Sequence, residues 1–477
     1  MTNRVFDIFA EICKVPRPSK HEERISRWLQ DWAAERGIEC EADEAMNVIM
    51  RVPATPGMEQ HEGVILQAHM DMVCEKNGDV QHDFMNDPIE TYIDGEWLKA
   101  KGTTLGADNG IGISMALAAI TDPNLAHPAI ECLFTVDEET GLTGAEKLKD
   151  GMLKGRRLIN LDSEDDGQIF IGCAGGIDTL AKMHYEETKI ANAGQQIAIR
   201  LSVSGLQGGH SGDDINKGRA NANQLLVWFL ARLWPQMEVQ LSSINGGNLR
   251  NAIAREAEAV ICVPMNCKEQ VRIEWNHYVA QMEEVFGKVE EGMRLDLETC
   301  DMPETFVPAD KAYRLIMALC ECPHGMIAMS QEMPGLVETS TNLASIKMKD
   351  GFIEINTSQR SSKEPNKHHL KWAVEQALSM ACDEVTHGDG YPGWAPNPQS
   401  SLLEVVKQAY IDLYKSEPKV LAIHAGLECG LFLEKYPYLD MVSIGPQMYG
   451  VHSPQERLSI PSTDRCYQWL CQILSQM

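Results

Sequence analysis

The sequence predicts an α/β domain, a mixed sheet flanked by helices, interrupted by a smaller α+β domain. Three observations carry this. Short apolar runs that end in polar residues alternate with helical stretches, the signature of a layered α/β structure. A middle segment switches to apolar–polar alternation. The chain has 477 residues, more than one typical core can organise.

The elements follow in order. In "HEERISRWLQDWAAER" (21–36), apolar Ile25, Trp28, Leu29 and Trp32 fall at helical spacing. "GVILQAHMD" (63–71), "AIECLFTVDEE" (129–139), "RLINLDSED" (157–165) and "LDMVSIGPQMYGVH" (439–452) each read as a buried strand with a polar end. "NGIGISMALAAI" and "GAEKLKDGML" read as the helices between them. In such sheets ligands bind beyond the carboxyl ends of the strands, where these polar residues sit. "QQIAIRLSVSG" (195–205) then alternates as a half-buried strand, "NANQLLVWFLARLW" (221–234) is helical, and "EAEAVICVP" and "GFIEINTSQRS" are strand-like. We therefore expect a catalytic domain over 1–184 and 386–477, with an inserted domain over 185–385. "YPGWAPNP" (391–398) lies near the exit, where Pro and Gly mark boundaries.

Composition narrows the function. Hydrophobic content of 44% and charged content of 23% are those of a soluble globular enzyme. With 69 acidic against 42 basic residues, the net charge of −27 argues against nucleic acid or an anionic membrane as partner. The 14 cysteines are scattered without zinc-site spacing, and the N-terminal stretch lacks a signal-peptide apolar core. Free thiols in a cytoplasmic protein are the expectation.

The chemistry is concentrated at the strand ends. His69 and Asp71 in "AHMDM" are two apart, so on a strand they face the same side, where the carboxylate can orient a metal-bound imidazole. Asp108 in "TTLGADNGIG" is either a helix N-cap or a carboxylate bridging two cations. Asp137, Glu138 and Glu139 are three adjacent like charges, which repel unless cations or a proton relieve them. Asp162 ends the next strand, and His452 follows the last. Taken singly, His69 and Asp71 read as a hydrogen-bonded pair at a strand end, the acidic residues as caps or a solvated turn, and His452 as an ordinary histidine. Together, two histidines and three carboxylates suit a pair of zinc-like ions with mixed nitrogen and oxygen ligands, the arrangement of two-metal hydrolases. Asp108, Glu139 and Asp162 set three negative charges against the four positives of two divalent ions, and a bridging hydroxide supplies the remainder. Glu138 is then left to act as general base, and Asp137 has no assigned chemistry.

In this order, "HMD", "GADNG", "DEETG", "LDSED" and "GVHSP" resemble the M20 family of di-zinc metallopeptidases. "GGHSGDDIN", "INGGNLRNAI", "TSQRSS", "HAGLECG" and "IGPQMYGVHSPQE" extend the resemblance along essentially the whole chain. It implies a zinc-peptidase-like catalytic domain with an inserted lid that closes over substrate. One zinc would take His69 and Asp162, the other Glu139 and His452, with Asp108 bridging, Asp71 orienting His69 and Glu138 as base. His210 matches the lid histidine that steadies the oxyanion, Arg360 the arginine that holds the substrate carboxylate, and Asn251 a polar residue near the substrate. Glu428 is a candidate for the substrate ammonium, with helix capping as its alternative. Ala254 stands where the family has proline. The implied reaction is hydrolysis of dipeptides with free ends, including Xaa-His such as β-alanyl-histidine, by a homodimer. Manganese or cobalt could replace zinc. The alternatives are an N-acyl amino acid deacylase with the same metal residues and a catalytically silent metal- or peptide-binding protein. A two-metal phosphohydrolase lacks support, because no glycine-rich phosphate cradle is present.

Overall fold

The computed structural model describes residues 2–189 and 193–477. They divide into two compact units, Met1–Cys173 with Trp394–Ala422 and Leu427–Met477, and Ala174–Gly393 with Ile423–Gly426.

The first unit is built on an eight-stranded sheet. Its order is Glu39–Ala42, Val48–Val52, Ile130–Thr135, Val64–His69, Arg157–Asn160, Asp440–Ser443, Gln168–Cys173 and Lys419–Ile423. The four strands from Ile130–Thr135 to Asp440–Ser443 are mutually parallel. All four expected apolar runs are therefore neighbours, and their carboxyl ends share one sheet edge. Strands of this kind are covered on both faces, which is why they read as continuous apolar runs. The covering helices follow the same logic. Ala107–Ile120 is buried along its whole length and, past Asp108 and Asn109, apolar but for Ser114. Glu23–Ala34 buries Ile25, Leu29, Trp32 and Ala33 on one face.

The second unit holds a nine-stranded sheet whose paired strands are antiparallel. The alternating segment forms strand Gln196–Ser204, between Ala257–Pro264 and Arg294–Cys300. Its core is closed by helices Ala222–Leu233 and Lys268–Phe286, where Phe229 stands edge-on to Trp275 at 4.6 Å.

The crossings fall at 173/174 and 393/394, not at 184/185 and 385/386. Hydrogen bonding moves them. Strand Gly175–His184 pairs along its full length with Phe352–Ser361, and Gly176 and Tyr391 exchange backbone bonds of 2.8 and 3.0 Å. Both segments therefore belong to the antiparallel sheet. The short return Ile423–Gly426 joins this unit as well. Among the described residues no helix is long and apolar enough to cross a membrane.

Phe229 is fully buried. Phe229→Ala is expected to cost about 3–5 kcal/mol of stability through lost transfer energy and an unfilled cavity, measured by equilibrium urea unfolding.

Candidate metal centre and catalytic residues

Each candidate ligand of the first unit reaches the site from a strand end or a tight turn. His69 is the last residue of Val64–His69. Past Thr135 the chain reverses at Asp137, which adopts the left-handed conformation (φ 51°, ψ 44°), and Glu138 and Glu139 open a single helical turn. Aspartate tolerates that conformation better than most residues. Here it is also held: the Asp137 carboxylate accepts from the Thr140 and Thr143 hydroxyls, and its N–H donates to Glu22 Oε1 at 2.9 Å. Asp137 therefore shapes the turn that presents the two glutamates, which accounts for the third charge in that run. Asp162 follows Arg157–Asn160, and His452 sits in a turn with φ 62°.

The side chains meet in two groups that share one residue. His69 Nε2 lies 3.0 Å from Asp108 Oδ1 and 3.3 Å from Asp162 Oδ1. His452 Nε2 lies 3.2 Å from Asp108 Oδ2 and 2.9 Å from Glu139 Oε2. Asp108 thus turns one oxygen to each group. Within each group the donor atoms lie no more than 4.8 Å apart, close enough to hold a cation. Glu139 Oε1 is buried with no hydrogen-bond partner, so the donor set has unused capacity.

Asp108 is not an N-cap. The backbone is non-helical at Asp108 and Asn109, and Gly106 occupies the cap position.

The electrostatics follow from the crowding. Burial opposes charge on His69, but Asp162, Asp108 and Asp71 outweigh it and raise its pKa well above the ordinary value. Hydrogen bonds to Asp108 and Glu139 push His452 up to about 11. Burial pushes Asp162 up to about 6 despite His69. The carboxylates are thus pulling protons onto both imidazoles, and a bound cation would take the place of those protons.

Asp71 braces the arrangement. Its Oδ1 is 3.3 Å from His69 Nδ1, an ion-pair distance without hydrogen-bond alignment. It accepts from Ser19 Oγ at 2.8 Å and from the Glu138 and Glu139 N–H groups at 3.0 and 3.2 Å. Glu138 lies with His69 and Glu139 in one cluster. Burial, reinforced by Asp162, Glu428 and Glu139 against the pull of His69, raises its pKa well above that of an ordinary carboxyl.

Several residues that hold the site escaped sequence reasoning. Glu456 accepts four successive backbone N–H groups, Leu105 and Gly106 on Oε2 at 2.7 and 3.1 Å, Ala107 and Asp108 on Oε1 at 2.8 and 3.4 Å. Buried Arg17 donates to the carbonyls of Met70 and Asp71 at 3.0 and 2.9 Å and to that of Gly106. Asn109 Nδ2 donates to Asp162 and to the Leu161 carbonyl. These partners lie far apart in the chain, and no spacing rule marks them. The nearest signal was Glu456 itself, four residues beyond His452.

Glu428 meets neither expectation simply. It precedes helix Cys429–Lys435 but makes no capping bond. Its side chain is 1% exposed and accepts from Gln67 Nε2 at 2.6 Å and Thr135 Oγ1 at 2.8 Å.

His210, Asn251 and Arg360 lie in the second unit. His210 Nδ1 accepts from the N–H groups of Gly212 and Asp213, both at 3.3 Å, and lies 3.3 Å from Asp213 Oδ2. The Asn251 carbonyl accepts from Ser211 N–H at 2.8 Å, so the two loops are joined. Arg360 is 8% exposed, with Nη1 donating to Tyr391 Oη at 3.0 Å and Nε buried without a partner. Its cross-strand neighbour Ser340 bonds His424 Nε2 at 2.7 Å.

Two predictions follow from these contacts. Glu456→Gln removes the charge that gathers the four N–H groups and should weaken metal binding about 10–100-fold, measured against a competing chelator. Burial, with Arg360 adding, lowers His424 to about 4. Its neutral form is favoured by folding, so stability is full above the unfolded value near 6.5 and is lost as pH falls toward 4. At pH 5 the loss is about 2 kcal/mol. Urea midpoints between pH 7 and 5 should fall less steeply in His424→Asn than in the parent.

Residues 65–476 match the model of peptidase family M20/M25/M40. The chain is 41% identical over 473 residues to the cytosol non-specific dipeptidase of Escherichia coli (strain K12), covering 99% of this chain and 97% of that one. The crystal structure of aminoacylhistidine dipeptidase from Vibrio alginolyticus superposes with a TM-score of 0.94 at 39% identity, over 99% of this chain and 96% of that one. The aminopeptidase PepT of Bacillus cereus ATCC 10987 shares the fold at a TM-score of 0.58 and 15% identity, over 100% and 98% of the two chains.

Proposed function

Because the chain belongs to peptidase family M20/M25/M40, we propose that it hydrolyses dipeptides with free amino and carboxyl ends, Xaa-His substrates such as β-alanyl-histidine among them. The relatives that carry this reading, matched over 97% and 96% of their own lengths, are named dipeptidases. The observation that carries it in this chain is Asp108, with one oxygen toward His69 and the other toward His452.

His69 and Asp162 would hold one divalent ion and Glu139 and His452 the other, with Asp108 between them. Zinc is the first choice for this donor set, and manganese or cobalt can replace it. When bound, the ions supply Lewis acidity, polarising the scissile carbonyl and acidifying water. Glu138 takes the proton of the attacking water and later returns it to the leaving amine. Asp71 keeps the His69 ring and the Glu138 backbone in place. His210 offers Nε2–H to the developing oxyanion, Arg360 offers a guanidinium edge to the substrate carboxylate, and Asn251 contributes a polar contact to the bound substrate. The reading includes a cytoplasmic homodimer.

A panel of dipeptides on zinc-loaded protein, with β-alanyl-histidine and its N-acetyl form, tests the activity. Hydrolysis of the unblocked dipeptides is expected, and a preference for the acylated form would make the protein a deacylase instead. Glu138→Ala should keep both metals by elemental analysis and lose about 10²–10⁴ in kcat.

A further inference from the structure

One rung below the metal ligands, the central sheet departs from its own pattern. Gln67, Asn160 and Ser443 are direct register partners across three parallel strands, and all three are fully buried. An apolar side chain would suit each position equally well for burial. Instead they form a continuous polar row.

The row has a direction. Asp162 N–H can only donate, and it donates to Asn160 Oδ1 at 3.2 Å. That fixes the Asn160 amide: Oδ1 also accepts from Ser443 Oγ, and Nδ2 donates to Gln67 Oε1. Ser163 must then donate to Ser443, at 2.7 Å. Gln67 in turn presents its nitrogen to Glu428 Oε2 at 2.6 Å, where Thr135 Oγ1 also donates at 2.8 Å. Every donor runs toward one acceptor, the Glu428 carboxyl.

The row is coupled to the ligands by strand periodicity. Gln67 precedes His69 by two residues, so both side chains leave the same face. Asn160 holds the backbone of Asp162 directly, and Thr135 is level with His69 in the register.

We propose that Glu428 is a positioning residue, the terminal acceptor of a one-way hydrogen-bonded row that holds His69 and Asp162 at the spacing for a shared cation. This rests on the metal-centre part of the function above, not on the substrate. Without the acceptor, Gln67 Nε2 keeps only Thr135 Oγ1, at 3.2 Å, and Thr135 Oγ1 is left with the Ala68 carbonyl at 3.4 Å, so the row loses its anchor beside His69.

The test reads zinc affinity of the full chain by competition with a chromophoric chelator. His69→Ala and His452→Ala identify which binding step belongs to which group. Glu428→Met should weaken the His69 step about 10–100-fold and leave the His452 step nearly unchanged. Glu428→Gln, which still offers an oxygen to Gln67 and Thr135, should restore it. Wild-type affinity in Glu428→Met, equal weakening of both steps, or no rescue by Glu428→Gln would overturn the assignment. If Glu428→Met does not fold, Gln67→Leu removes the link between Glu428 and Asn160, and an unchanged His69 step there overturns it equally. A chain that binds zinc in two steps but cleaves no dipeptide overturns the activity and leaves this inference standing. One that binds no zinc overturns both.

Discussion

The parallel register of four central strands is the constraint on which the rest depends. It brings the ends of Val64–His69, Ile130–Thr135, Arg157–Asn160 and Asp440–Ser443 to one edge. Loops leaving that edge then have to converge, and what they carry is mostly negative. Like charges at this separation are costly in a buried setting. The first unit meets the cost with two imidazoles placed between carboxylates and with backbone N–H groups aimed at Asp71 and Glu456. The same crowding suits the cluster to a cation, because a divalent ion would relieve several repulsions at once.

The division of labour among the clustered acids follows from what each one touches. Asp137 is occupied by two threonine hydroxyls, so it organises a turn. Glu139 pairs with His452 and keeps one oxygen unused. Glu138, in the same turn, is held by its backbone to Asp71. Three adjacent carboxylates therefore do three different things, and their hydrogen-bond partners, not their identities, separate them.

Much of this was legible in the sequence. The four apolar runs, the helix Glu23–Ala34 and the alternating strand Gln196–Ser204 all lie where periodicity put them. The five candidate ligands converge because each was read at a strand end or turn, and the topology gathers those points. The domain crossings moved by about ten residues because strand pairing, which local composition does not encode, decides where a sheet begins. Glu456 and Arg17 were invisible because they act on backbone groups, which every residue has. The polar row through Gln67, Asn160 and Ser443 was hidden by the apolar runs around it.

The sequence by itself determined which donor types stand at which strand ends, since period two and the apolar runs are local properties of the chain. Tertiary structure alone decided which donors share a group. Asp108 and His452 are 344 residues apart, and they are brought together by the antiparallel pairing of Arg457–Ser459 with Trp97–Ala100 and by the bonds between Glu456 and the backbone at Asp108. It also decided that Glu428 turns into the sheet, because a carboxyl at a helix start can face either way until its neighbours supply the donors.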